Sequence, residues 1–242
     1  MNAIVLAAGA GQRLPQAKIY GSKLLVPVRG KTILERNLLF LKRAGIRKCI
    51  LTLCSGKEKV VAFLEAKRSF GLRIAFSYED RLLGTAGGVK KVQGLLGDQD
   101  FLVFYGDNLS DFDIQKLWRV HRQNKAIGTI GVFDPKKARH SGVLAGLLEL
   151  DAQGRVEKFA EKRNNQKTPE KGYVNAGIAV FSPKIFREIP ARRVCDLARD
   201  IYPKLLKKKQ KLFAVEGASY VLASDTPETL RRTRHFFAKN RL

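Results

Sequence analysis

The apolar positions fall into short runs separated by amphipathic stretches, and in the first half of the chain the two alternate regularly. Ala3–Leu6 is a brief apolar run with β-branched members, suited to a buried strand, and Lys48–Cys54, Leu72–Ser77 and Asp100–Tyr105 have the same character. Between them, Ile33–Ala44 and Lys57–Lys67 carry apolar residues at helical spacing, the first closed by Gly45 as by a C-cap. A further helix is expected from about Thr85, its candidate N-cap, through about Leu96. Another is expected over Ile114–Asn124, with Asp111 and Asp113 in its N-terminal region, where carboxylates suit the helix dipole. This alternation argues a parallel α/β sheet with right-handed crossovers, its first strand central and a ligand at the carboxyl end. Ala126–Asp134, Gly142–Asp151 and Val156–Ala160 then read as strands joined by Pro and Gly turns, so the second half is richer in antiparallel structure.

Candidate chemistry gathers where strands end. Ala7-Ala8-Gly9-Ala10-Gly11 leaves the first strand with almost no side-chain bulk, which lets backbone N–H groups approach an anion. Arg13 supplies a guanidinium fork for phosphate oxygens, and Lys23 a compact second charge. Tight strand-to-helix turns also use glycine for steric reasons alone, so the loop by itself leaves both readings open. The Glu79–Val89 stretch, EDRLLGTAGGV, opens a helix with small residues whose N–H groups suit an anion or a ligand edge. The alternative is a helix packed close to the sheet through Gly87 and Gly88. Gly106-Asp107-Asn108 ends a strand with a carboxylate placed for Mg²⁺, or is a plain Asp turn. Glu161-Lys162 sits at a strand end and is otherwise a solvated rim. Asp225 precedes Thr226-Pro227 and is placed to N-cap a helix that starts there, a role that does not exclude another.

Composition narrows the setting. At 242 residues with 45% hydrophobic content, the chain fits one globular domain with a sizeable core. No apolar run reaches the roughly 18 residues a membrane span needs, and the opening reads as mature cytoplasmic sequence. Cys49, Cys54 and Cys195 fit no metal spacing and suit a reducing compartment as structural thiols. His121, His140 and His235 are isolated and are expected to be packing or surface residues. The formal net charge of +24 is the outlier. It suits either nucleic acid or a small anionic substrate. The basic runs Lys204–Lys211 and Arg231–Arg241 carry no nucleic-acid module and read as solvated helix faces or tails, which favours the small substrate.

Five segments in order resemble the sugar-1-phosphate nucleotidyltransferases, across nearly the whole chain. Their L-A-A-G-x-G-x-R-L opening is matched from Leu6 to Leu14, and a Lys ten residues after the Arg, followed by L-x-P-V, is matched by Lys23–Val28. Ser22, Lys18 and the early Pro15 depart from that pattern. Leu83–Gly88 matches L-G-T-A-G-[AG], Gly106-Asp107 the metal-binding G-D, and Glu161-Lys162 a pair facing the sugar phosphate. Gly172–Phe181 resembles the N-x-G-[IV]-Y-x-F strand, with Asn175 and Gly177 beside the sugar. Near the end, a W-x-D-x-G-T-P-E-x-L pattern breaks, with Ala223 where the second metal-binding Asp stands and Asp225 where the Gly stands.

The resemblance implies a single-domain, Rossmann-like (GT-A-like) α/β fold with a mixed, mainly parallel sheet between helices. Its nucleotide half would be about residues 1–125 and its sugar-phosphate half about 126–242. It implies Mg²⁺-dependent transfer of a nucleoside monophosphate from an NTP to a sugar 1-phosphate. Arg13, Lys23 and Asp107 would be catalytic. Leu6, Ala7, Ala8, Gly9, Gly11, Gly84, Thr85, Ala86 and Gly87 would hold the nucleotide, and Glu161, Lys162, Asn175 and Gly177 the sugar phosphate. Asp107 and Asp225 would hold the metal. The length argues against an added left-handed β-helix domain, and Leu83–Gly88 looks closest to mannose- and heptose-1-phosphate guanylyltransferases and muramyl-type uridylyltransferases. Two alternatives remain: cytidylyl transfer to phosphocholine or another phosphorylated alcohol, and a non-catalytic descendant that binds nucleotide or RNA.

Overall fold

The computed structural model describes residues 1–9, 11–54, 56–142, 146–161 and 172–240. Nine strands form the main sheet: β1 (Asn2–Leu6), β2 (Lys48–Leu53), β3 (Arg73–Tyr78), β4 (Phe101–Tyr105), β5 (Gly128–Phe133), β6 (Leu147–Leu150), β7 (Val156–Ala160), β8 (Tyr173–Phe181) and β9 (Leu212–Glu216). They run in the order β7-β6-β8-β4-β1-β2-β3, with β5 on the other edge of β8 and β9 beyond β5. The expected mixed, mainly parallel sheet is the one observed. β1 lies parallel between β2 and β4, and β8 is antiparallel to β4, β5 and β6.

Seven α-helices flank it among the described residues: α1 (Pro15–Tyr20), α2 (Ile33–Arg43), α3 (Lys57–Ala66), α4 (Gly84–Lys91), α5 (Ile114–Asn124), α6 (Tyr202–Lys207) and α7 (Pro227–Lys239). The strand alternation fixes which face each covers. Ala3 and Val5 of β1 pack with Leu34, Leu38 and Leu41 of α2 and Leu64 of α3, whereas Ile4 faces Ala86 and Val89 of α4. α2 starts where the Thr32 hydroxyl accepts from the Glu35 N–H at 3.0 Å and stops at Ala44, Gly45 then turning out with φ +86°. Truncating any of its fully buried leucines to Ala costs about 2–5 kcal/mol.

Several boundaries differ from expectation. The helix through Thr85 ends at Lys91, and Gln93–Leu95 is a separate 3₁₀ turn. The strand expected over Gly142–Asp151 is confined to Leu147–Leu150 among the described residues. Asp113 caps α5 by accepting from the Lys116 N–H at 2.9 Å, but Asp111 leaves that helix alone and accepts from the Ser219 N–H at 2.9 Å. Asp111 thereby pins a small sheet of Asn108–Ser110, Tyr220–Ala223 and Arg139–His140. That sheet bears directly on the site, because Asn108 stands opposite Ala223 in antiparallel register. The residues just before Asn108 and just after Ala223 therefore meet at one end, and these include Asp107 and Asp225. No described helix is long and apolar enough to cross a membrane.

Candidate active site

The small-residue loop is held in place by two backbone contacts from neighbouring strands. The Ala7 N–H donates to Thr52 Oγ1 at 3.1 Å, and the Gly106 N–H donates to the Leu6 carbonyl at 2.9 Å. Gly11 has φ +62°, and a Cβ there would lie 3.0 Å from the Lys23 Cβ and 3.1 Å from the Ala17 Cβ. Glycine at that position is thus a steric requirement as well as an opening in the loop. Buried Asn37 donates to the Gly106 carbonyl at 2.8 Å and anchors the turn that presents Asp107.

Lys23 begins a single 3₁₀ turn, Lys23–Leu25, whose cap Ser22 accepts from the Leu24 N–H at 3.3 Å. Its side chain is only 7% exposed, and its ammonium donates to Asp107 Oδ2 at 2.9 Å and to Asp225 Oδ1. Burial opposes the Lys23 charge, but the two carboxylates outweigh it and hold the group above its ordinary value. Arg13, 75% exposed, approaches Asp225 Oδ2 at 3.7 Å and keeps most of its donors for solvent or a ligand. Sequence positions 13, 23, 107 and 225 are therefore one cluster. The cap reading of Asp225 is overturned. Thr226 caps α7, its hydroxyl accepting from the Thr229 N–H at 3.2 Å, and the Thr226 N–H donates back to Thr229 Oγ1 at 2.9 Å.

Three cavities open from this cluster. One of about 340 Å³ is lined by Leu6, Ala7, Gly9, Gly11, Arg13, Lys23, Asp107 and Asp225. A second, about 320 Å³, lies between Ala8 and Gly9 on one side and Glu79, Leu82, Gly84 and Thr85 on the other. The third, about 270 Å³, is lined by Tyr105, Asn108, Phe133, Glu161, Asn175, Gly177 and Asp196. Asp107 lines all three.

The Leu83–Gly88 stretch corrects the expectation of free N–H groups. Thr85 is not the N-cap of α4, for Leu83 occupies that position without a side-chain bond, and the Ala86 and Gly87 N–H groups both donate to the Cys195 carbonyl at 3.0 and 3.1 Å. The Thr85 hydroxyl instead donates to Asp196 Oδ1 at 2.9 Å and accepts from the Leu197 N–H at 2.8 Å. Ala86 and Gly87 are buried, and a Cβ at Gly87 would lie 2.9 Å from the Leu83 Cβ, so close packing accounts for that glycine.

On the third cavity's wall, β8 carries an irregularity between Asn175 and Ile178. Gly177 sits there with φ +73°, and its N–H donates to Asn175 Oδ1 at 2.9 Å. That bond leaves the Asn175 amide nitrogen without a partner among the described residues. Burial, with Asp196 nearby, raises the Glu161 carboxyl above its ordinary value, opposed by Arg199 at 3.9 Å. Lys162 lies outside the described residues. Asp196, Tyr105 and Glu79 are lining residues that sequence reasoning passed over. Asp196 has no motif around it, whereas Glu79 opens the very stretch whose glycines drew attention.

Among the described residues no three His, Cys, Asp or Glu side chains gather as a metal cluster, so the Asp107–Asp225 pair stands as two carboxylates on one cation. This geometry defines a class: a glycine loop at the carboxyl end of β1, a buried lysine, and two carboxylates, Asp107 after β4 and Asp225 after the Tyr220–Ala223 strand. A sequence profile of the nucleotidyl transferase family matches residues 2–220, and the chain belongs to that family. It is 32% identical over 240 residues to a mannose-1-phosphate guanylyltransferase of Mycobacterium tuberculosis, covering 96% of this chain and 63% of that protein. It is 29% identical over 226 residues to a UTP–glucose-1-phosphate uridylyltransferase of Synechocystis, covering 89% of this chain and 58% of that protein. The chain thus spans about three-fifths of the length of these curated relatives. A putative glucose-1-phosphate thymidylyltransferase from Bacillus anthracis, solved in complex with a sucrose, shares the fold with a TM-score of 0.81 at 23% identity, covering 98% of this chain and 94% of that one.

Proposed function

We propose that the chain transfers a nucleoside monophosphate from an NTP to a sugar 1-phosphate, forming an NDP-sugar and pyrophosphate. The observation that carries this reading is the position of Asp107, with the Lys23 ammonium on it, at the junction of three cavities. A reaction that joins two phosphates and expels a third group needs such a junction. The sugar phosphate is already largely dianionic near pH 7, so its attack on the α-phosphorus needs no dedicated base. Positioning and charge neutralisation do the work. The exposed Arg13 guanidinium stabilises the leaving pyrophosphate, and Lys23, joined by Lys162, holds the phosphates being linked. Asn175 and Gly177 orient the sugar.

The donor set of Asp107 and Asp225 fits Mg²⁺, a hard cation that takes one or two carboxylates together with phosphate oxygens. When bound, Mg²⁺ supplies charge neutralisation on the nucleotide oxygens. The two carboxylates are what make a buried ammonium tolerable between them, and the same pair would be the residues to hold the metal. This reading belongs with a cytoplasmic nucleotide supply.

A second reading, cytidylyl transfer to phosphocholine, draws on Tyr105, Phe133, Glu161 and Asp196 lining one cavity, an aromatic and acidic set suited to a quaternary ammonium. The test is pyrophosphate release with Mg²⁺ across the four NTPs, against mannose, glucose and heptose 1-phosphates and phosphocholine. Release with a sugar 1-phosphate supports the transfer proposed. Release only with CTP and phosphocholine selects the second reading. No release at all, with salt-steep RNA binding, makes the chain a binding protein.

A further inference from the structure

Resting on the nucleotidyl-transfer reading, we propose that Asn37 is a positioning residue for the reaction, holding Asp107 in place through the peptide that joins it to Gly106. α2 buries Leu34, Leu38 and Leu41 in the core, and Asn37 sits among them, only 1% exposed. A buried amide is costly unless it is paired, and asparagine is a poorer helix former than leucine. Neither hydrophobicity nor helix propensity therefore accounts for this residue. Its amide meets a particular need: Nδ2 donates to the Gly106 carbonyl at 2.8 Å.

That carbonyl lies just past the reach of the sheet. The β1–β4 ladder ends with Leu6 opposite Tyr105, and the Ala7 N–H, next along the chain from β1, goes to Thr52 Oγ1. Gly106 donates its own N–H to the Leu6 carbonyl at 2.9 Å. A side chain could not help to hold it, because a Cβ would lie 3.0 Å from Val5 Cγ1 and 3.1 Å from the Leu6 carbonyl oxygen. Its position is thus set through its backbone groups: β1 takes the N–H, and α2, through Asn37, takes the C=O.

A peptide unit is planar, so the Gly106 oxygen and the Asp107 Cα belong to one rigid plane. Fixing that oxygen fixes where Asp107 leaves the strand, and the Lys23 ammonium, 2.9 Å from Oδ2, then sets the side-chain torsions. Without Asn37 the plane is free to turn toward another donor, and the carboxylate at the end of the side chain moves with it. Misplacing a reacting group by about 1 Å costs about a hundredfold in rate. A cavity of about 50 Å³ adjoins Asn37, lined also by Arg43, Ser110 and Tyr220, with room for a water. A shorter hydroxyl side chain at this position can therefore reach the carbonyl through that water, and an apolar one cannot.

The test is a double-mutant cycle on the intact protein, Asn37→Leu and Asp107→Ala singly and together, read by pyrophosphate release and by calorimetric affinity for an NTP with Mg²⁺. Asn37→Leu keeps much of the volume and removes the donor. It should lower kcat about tenfold to a hundredfold, with KM for the sugar phosphate within about threefold of wild type. NTP affinity should weaken about threefold to tenfold. In the Asp107→Ala background the same substitution should change rate and affinity by less than about twofold, because the group through which Asn37 acts is gone. The melting temperature should instead fall by the same amount in both backgrounds, since the Gly106 carbonyl loses its donor in each. Asn37→Ser should recover part of the lost rate, and it carries the cycle if the leucine variant does not fold. Wild-type kcat in folded Asn37→Leu, or an equal loss in both backgrounds, would overturn the proposal and leave Asn37 a packing residue. If the wild type releases no pyrophosphate, the transfer reading falls and the affinity cycle alone decides: coupling to Asp107 sustains the positioning role, and additivity sinks it.

Discussion

The two sides of the site are built differently. The proposed phosphate side comes from β1, its loop and one 3₁₀ turn, so Ala7, Gly11, Arg13 and Lys23 lie within seventeen residues of sequence. The proposed sugar side brings Tyr105 from β4, Glu161 after β7, Asn175 and Gly177 from β8, and Asp196 ahead of α6. Local spacing fixes the first, whereas strand pairing over long separations assembles the second. Asp225 belongs to both cavities, and it arrives through the small sheet in which Ala223 opposes Asn108.

Four substitutions test that difference, beginning with the centre both sides share. Asp107→Ala should lower pyrophosphate release by about a hundredfold to a thousandfold, a loss of the size expected when one preorganised electrostatic group is removed. Its thermal midpoint should stay close to wild type, because the side chain is 40% exposed. Near-native turnover would remove Asp107 from the junction. Asp225→Asn comes next. It keeps the shape but weakens the hold on Lys23, and a loss of roughly tenfold or more in kcat with little change in the melting curve would place it in the chemistry.

Smaller effects separate the sugar side from the phosphate side. Gly177→Ala forces an L-residue into φ +73° with its Cβ 3.2 Å from the Tyr105 Cβ, and should cost about 1–3 kcal/mol in urea unfolding. Where it folds, it should raise KM for the sugar phosphate and leave KM for the NTP unchanged. A rise in both would mean that the two sides are mechanically one. Thr226→Ala is the control. Losing the α7 cap should cost about 1 kcal/mol of stability with turnover unaltered. A large rate loss in this variant would show that the capping turn itself positions Asp225.

The same difference explains what was legible in the sequence. The α/β alternation and central β1 follow from local periodicity, whereas Arg13 and Lys23 were legible as cations following the glycine loop and through the resemblance that their separation carries. The Thr85 reading failed because a distant segment answers a local need, and the cap reading of Asp225 because its neighbour answers it first. Thr85 has a good N-cap side chain, but the Cys195 carbonyl, more than a hundred residues on, takes the α4 N–H groups first. Asp225 stands where a cap would serve, but Thr226 already has the hydroxyl and the Thr229 partner. Asp196 could not be read at all, because its role exists only once Thr85, more than a hundred residues earlier, is brought to it.

The most direct test of the central claim is phosphorus NMR of the intact protein with Mg²⁺, an NTP it binds and a sugar 1-phosphate. The account predicts that pyrophosphate and an NDP-sugar appear in equal amounts as both substrates decline, and that neither appears with Asp107→Ala. Conversion of the NTP to free NDP or NMP with the sugar phosphate untouched would contradict it, since the Asp107–Lys23 junction would then not be joining two phosphates.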